Sequence, residues 1–248
     1  MTEGLRPKRI YMAIRRPGLT REQFAPRWRQ HGTLAMSLPR WTNVARYGHC
    51  DVVPCDDPAV GASDEYDGIG LIWFRSPETR RGHFADAGAR TMGRDEEEVF
   101  GVAIKNADLF AAERLLRDGP SGGVKKVSFL TRKAGMSRED FLRHWRDDHA
   151  PLLLETPGLR EPILRYAQND PLPPDRPGET RWPLDYDGVE EVWYADLAAL
   201  RAAHAHPAFR AVREDRARFV GDALVMLTNE LILHDVDAGI DGTQSASR

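Results

Sequence analysis

The 248-residue chain carries one pattern twice, and that repetition limits what it can fold into more than any other feature. Lys8-Arg9-Ile10, Arg15-Arg16-Pro17-Gly18-Leu19-Thr20-Arg21-Glu22-Gln23-Phe24 and Trp28 return as Lys125-Lys126-Val127, Arg132-Lys133-Ala134-Gly135-Met136-Ser137-Arg138-Glu139-Asp140-Phe141 and Trp145. The spacing is 117 residues, as 141 − 24 for the phenylalanines and 145 − 28 for the tryptophans. Tyr66-Asp67-Gly68-Ile69 with Trp73-Phe74 returns as Tyr186-Asp187-Gly188-Val189 with Trp193-Tyr194, at 186 − 66 = 120. Glu113 and Asp118 return as Glu230 and Asp235, at 117 again. A duplicated module keeps its elements and lets its loops drift, so two similar halves are expected.

Each copy reads β-α-β-β-α-β. A partly alternating first strand covers residues 9–15 and 126–132. Thr20-x-x-Gln23 and Ser137-x-x-Asp140 then read as helix N-caps, the first in capping-box form, and each following helix carries Phe and Trp four apart on one face. A second strand is expected to end near Arg46-Tyr47 and Arg165-Tyr166, and a third to span 66–74 and 186–194. A second helix starts near Pro77 and Leu197, and a closing strand covers 102–112 and 224–233. This is the ferredoxin-like order, an α+β fold with an antiparallel sheet. The expected organisation is a first module over 1–118, a linker over 119–124 rich in Gly and Pro, a second module over 125–236 and a frayed tail over 237–248. Two helices cover one face of each sheet, so packing the modules sheet to sheet, as an intrachain α+β barrel, would hide both bare faces.

Composition removes several classes of partner. Net charge is −3, which gives no reason to expect nucleic acid or an anionic membrane. No apolar run approaches the roughly 18–20 residues of a membrane span. The first nine residues are polar and basic, unlike a secretory signal, and a cytoplasmic location is expected. Cys50 and Cys55 match no common zinc pair, and His204-x-His206 would point apart on a helix, so no metal site is expected. Gly119 to Gly123 lacks the lysine and following helix of a phosphate loop. Asp95-Glu96-Glu97-Glu98 reads as a solvated helix surface, and His49-Cys50-Asp51 as a cluster after the second strand.

Phe141-Leu142-Arg143-His144-Trp145-Arg146-Asp147-Asp148-His149-Ala150-Pro151-Leu152 is similar to the first helix of the EthD-domain family. Tyr186-Asp187-Gly188-Val189-Glu190-Glu191-Val192-Trp193-Tyr194 is similar to its third strand, and His206-Pro207-Ala208-Phe209 through Asp215 and Phe219 to its second helix. The second copy matches over nearly all of 125–234, the first more weakly. The resemblance implies a dimeric α+β barrel built from ferredoxin-like modules. It also implies chemistry of the kind that group performs without a cofactor: lactone isomerisation and polyketide-type dehydration or decarboxylation. Related barrels include cofactor-free monooxygenases and polyketide cyclases, and fold kinship alone does not choose among them.

The expected function is therefore a cofactor-independent lyase that moves protons on a small aromatic or polyketide-like acid, lactone or ketone. An isomerase, a monooxygenase and a noncatalytic binding protein are the alternatives, and association into a homodimer is left open. His149, eight residues after Phe141 and four after Trp145, falls near the buried helix face beside Pro151, where its backbone or Asp148 could orient it as general acid/base. A core histidine satisfying a carbonyl is the competing reading. Tyr166 and Tyr186 are candidates to donate to a developing enolate, or are ordinary packing. Trp145 and Arg165 are candidate substrate contacts, although the recurrence of Arg165 as Arg46 favours a structural part. Glu190 and Glu191 stand where the first copy has Gly70 and Leu71, so either could pair with His149, hold a hydroxyl, or serve between the sheets. His31, only three residues after Trp28, marks a first-copy pocket whose equivalence cannot be assumed, and a single working site in the second copy is favoured.

Overall fold

The computed structural model describes residues 6–83, 88–174, 178 and 180–236, so the tail expected to fray lies outside the described residues. In the first half, strand β1 (Arg6–Ala13) leads to α1 (Arg21–Met36), β2 (Val44–Val52), β3 (Gly68–Phe74), α2 (Pro77–His83), α3 (Gly88–Val99) and β4 (Asp108–Arg117). The second half runs β5 (Val124–Arg132), α4 (Arg138–His144), α5 (Ala150–Leu154), β6 (Ile163–Pro171), β7 (Gly188–Tyr194), α6 (Leu197–Ala205), α7 (Phe209–Phe219) and β8 (Val220–Asp235). The caps form as the sequence predicts. Thr20 and Gln23 exchange both bonds of a capping box, and Ser137 accepts from the Asp140 amide.

All strand pairs are antiparallel and close into one barrel in the order β1-β3-β2-β8-β5-β7-β6-β4. The first four strands lie side by side as β4-β1-β3-β2 and the last four as β8-β5-β7-β6, the same order twice. The halves join by hydrogen-bonded edges, β2 to β8 and β4 to β6, rather than by stacked faces alone. Closure leaves no strand edge open to another chain.

Several strand boundaries differ from expectation; β4, expected over 102–112, runs Asp108–Arg117. The segment near Arg46 and Arg165 opens β2 and β6 instead of ending them. A 3-10 turn over Pro39–Asn43 occupies the chain between α1 and β2, because Pro39 suits the start of a tight turn and cannot donate to a ladder. His49, Cys50 and Asp51 consequently lie inside a strand and not after one, with Cys50 fully buried. The second helix of the second half is broken into α6 and α7.

Residues repeated in the sequence pack alike. Gly68 and Gly188 pass beneath the Trp28 and Trp145 rings, and a Cβ at either glycine would overlap the indole. Asp67 accepts from the Arg15 amide at 2.8 Å and pairs with its guanidinium; Asp187 does the same for Arg132, also at 2.8 Å. The Tyr-Asp-Gly motif therefore ties each third strand to the end of each first strand. Inside the barrel, Ile10, Met12, Ile69, Leu71, Phe129, Val189 and Met226 form one continuous core across the two halves.

Candidate active site

Strand residues alternate between barrel and helices. Lys8, Ile10 and Met12 face inward, whereas Arg9 and Tyr11 face a cleft under α1 and α3. The second half has a matching cleft on its own outer sheet face, bounded by β5, β7, α6 and α7. Each cleft holds one buried histidine fixed by a carboxylate from the later helix of its own half.

His31 on α1 bonds Asp95 of α3 through Nδ1 at 2.7 Å, and Asp95 also takes Arg27 at 2.5 Å. His149 bonds Asp215 of α7 through Nδ1 at 2.9 Å, and the other Asp215 oxygen takes His144 Nε2 at 3.0 Å. The extra residue between Trp145 and His149 is absorbed by a π-helical turn over Trp145–His149, after which Pro151 opens α5. The two histidines thus reach corresponding places despite unequal spacing. The orienting group is Asp215 and not Asp148, which bonds His144 at 3.3 Å. Asp95 likewise leaves the expected solvated surface, and Glu96 beside it borders the first cleft.

An ionised aspartate only accepts, so Nδ1 of His149 carries the proton and Nε2 has its lone pair free. Nε2 has no partner among the described residues, and the ring borders the cleft. Burial holds the imidazole below its ordinary pKa against the pull of Glu190 and Asp215, so the neutral base is the resting form.

The second cleft encloses about 270 Å³. Glu190 is 3% exposed and accepts from Tyr166 Oη at 2.7 Å. Burial would raise its pKa, but Lys126, Arg216 and the Tyr166 hydrogen bond outweigh that and keep it ionised. Tyr194, His204, Lys126, Arg213 and Arg216 also line it. Burial drops His204 to about 4. The first cleft is larger, about 620 Å³, yet several of its polar groups are engaged by residues outside its lining. Arg9 donates to Asp108 at 2.7 Å and Tyr47 bonds His49 at 2.5 Å.

One exchange separates the halves. Tyr11 stands opposite Gly70, whereas Ser128 stands opposite Glu190. In the first half the Tyr11 ring covers Gly70, leaving no room for even a Cβ, and its hydroxyl takes the Trp28 indole N–H at 3.1 Å. In the second half the bulk moves across the ladder and becomes a carboxylate.

The structure therefore brings His149 and Glu190 together in the second cleft, with Tyr166 behind Glu190. Trp145 is fully buried under Gly188 and its carbonyl accepts from Gln168 at 3.0 Å. Tyr186 packs on Phe129 and borders a separate depression with Arg132 and Trp182, away from the His149 lining. Arg165 pairs with Asp118 at 2.7 Å and lies over Trp193, as Arg46 pairs with Asp235 at 3.3 Å and lies over Trp73. Glu191 lies inside the barrel, between Lys8 and Lys125, and accepts from Asn169 at 2.9 Å. His31 is in the first cleft. Sequence reasoning passed over Asp215, Lys126, Tyr194 and Arg216. The spacing 215 − 95 = 120, equal to that of the third-strand repeat, was the signal that could have found the aspartates.

The EthD domain model matches residues 16–101 and again 133–223. The chain is an EthD-domain protein. Among curated proteins, none matches this EthD-domain chain. Solved structures share its fold at low identity. A protein described as a candidate monooxygenase from Lactobacillus acidophilus NCFM is 12% identical with a TM-score of 0.55, over 93% of this chain and 96% of its own. A second protein so described, from Fusobacterium nucleatum, is 6% identical with a TM-score of 0.60, over 93% and 94%. An anthrone oxidase-like protein is 11% identical with a TM-score of 0.62, over 94% and 93%. At such identities the likeness is one of fold. Among its described residues the EthD-domain protein has no cluster of three or more metal-ligating side chains and no helix long and apolar enough to cross a membrane.

Proposed function

We propose that the second cleft is the active site of a lyase that moves a proton on a small carbonyl compound of aromatic or polyketide type, without a cofactor. The observation that carries this reading is the His149–Asp215 pair in a cleft that also holds an ionised Glu190. Nε2 of His149 would take a proton from the carbon next to a carbonyl. The enolate oxygen would accept from Tyr194, and Glu190, steadied by Tyr166, would hold a substrate hydroxyl. In an elimination the imidazolium returns that proton to the departing hydroxyl, so a C–H and a C–O bond break, a C=C bond forms and water leaves. Apolar walls from Leu153, Val192 and Phe209 would keep bulk water from the enolate. The two halves, 1–118 and 125–236, are in this reading copies of one ferredoxin-like module, of which the second kept the chemistry.

The test is product analysis on hydroxylated aromatic acids, lactones and ketones, with and without oxygen. Dehydrated or decarboxylated product in both atmospheres, lost in His149→Ala, supports the lyase. Product only under oxygen would replace it with the monooxygenation named for two of the structural neighbours.

A further inference from the structure

Lys126 and Arg9 occupy equivalent places, 126 − 9 = 117 residues apart, each facing the cleft of its own half. Arg9 is neutralised within the chain, with Nε 2.7 Å and Nη2 2.6 Å from Asp108 Oδ2. Asp108 stands opposite Tyr11 on the β1–β4 ladder. The residue opposite Ser128, the counterpart of Tyr11, is Val225 on β8. The second half thus has a valine where the first has the counter-ion, and Val225 itself borders the cleft. Lys126 is 7% exposed, and its ammonium has no hydrogen bond or ion pair among the described residues. Arg216, half-buried, borders the same space and also lacks a partner among them. Arg213, exposed to solvent, adds a third cation, held 5.5 Å over Phe209. Only one carboxylate, Glu190, borders the cleft against these three, and it is engaged with Tyr166.

Buried cations are ordinarily paired, because an unpaired one loses its hydration without return. We propose that the second cleft binds the carboxylate of an organic acid against Lys126 and Arg216, the ligand supplying the counter-ion that Asp108 supplies in the first half. The proposal rests on the reading of this cleft as a small-molecule site and narrows its substrate to a carboxylic acid. Burial draws the Lys126 pKa down, Glu190 draws it up and Arg216 draws it down again; the balance is about 8, so the ammonium persists at neutral pH. Val192, Leu153 and Phe209 would take the apolar body of the acid.

The test is calorimetric binding of benzoate, salicylate and 3-phenylpropionate, each beside its uncharged amide and beside inorganic phosphate, to the full chain. Wild type is expected to bind at least one carboxylate about tenfold or more tightly than its amide. Lys126→Met should erase that preference, and so should Val225→Asp, which installs the first half's counter-ion without removing any cation. Equal binding of acid and amide, or a preference that survives both variants, overturns the carboxylate assignment while leaving a small-molecule cleft. Phosphate binding as tight as the best acid overturns the organic ligand. Binding of none of these probes overturns the assignment together with the site reading beneath it.

Discussion

At the scale of single residues, the functional case rests on a histidine whose two nitrogens have different jobs. Asp215 takes Nδ1 and leaves Nε2 for the cleft, so Asp215→Asn should lower kcat by at least about tenfold while the fold, read by circular dichroism, stays intact. Unchanged turnover in that variant would reduce Asp215 to a packing residue. The pH dependence has a definite sign. The folded-state pKa of His149 lies below its unfolded value of about 6.5, so the neutral base is retained as pH falls past that value. The acid limb of kcat/KM should then fall below pH ~6.5. The same shift makes this histidine's contribution to stability complete above about pH 6.5 and lost as pH falls through the folded-state pKa. An acid limb above that value would mean that the charged form is favoured in the cleft.

At the scale of elements, the sequence and the structure agree where side chains are repeated and diverge where backbone geometry intervenes. The Trp over Gly contact was legible as Trp28, Gly68, Trp145 and Gly188, because a contact between two fixed residues leaves both letters in each copy. Gly188→Ala should cost about 1–3 kcal/mol in chemical denaturation, since its Cβ would meet the rigid Trp145 ring. No loss would mean that the indole can move. The equivalence of His31 and His149 was not legible, because a π-helical turn has no reliable residue signature and hides a one-residue insertion. Lys126 escaped, and Glu190 was not told apart from Glu191, for a related reason. Which strand face is outward depends on barrel closure, and closure is set by the β2–β8 and β4–β6 pairings between distant strands. Tyr186, a candidate enolate donor or packing residue by sequence, packs on Phe129. It precedes the first residue of β7, and the chain there has turned toward another depression.

At the scale of the whole molecule, a charged cluster lies at the pseudo-symmetric centre of the barrel. Lys8 pairs with Glu113 at 3.4 Å and Lys125 with Glu230 at 2.9 Å, and Glu191 bridges the two lysines. The equivalent of Glu191 in the first half is Leu71, so one carboxylate serves both copies. Glu191→Leu should destabilise by about 3–5 kcal/mol, because it strips a buried partner from two lysines that remain. A neutral result in thermal unfolding would mean that Glu113 and Glu230 suffice. Burial opposes the Glu191 carboxylate, yet Lys125 and Lys8 hold its pKa well below the ordinary range. Its contribution is therefore present above the unfolded carboxylate value of about 4.3 and is lost as pH falls beneath it. The barrel centre is thus occupied by charges paired with one another, and the clefts with the two histidines lie on its outer face.

The central claim, a neutral His149 with its proton on Nδ1 and a free Nε2 facing the cleft, can be read without a substrate. Histidine ring nitrogens labelled with ¹⁵N, assigned by His149→Gln and followed by NMR from pH 4 to 8, report tautomer and charge together. The expected result is an Nδ1–H neutral ring at pH 7, a midpoint below about 6.5, and loss of the tautomer preference in Asp215→Asn. A charged ring at pH 7, or a proton resting on Nε2, would contradict it.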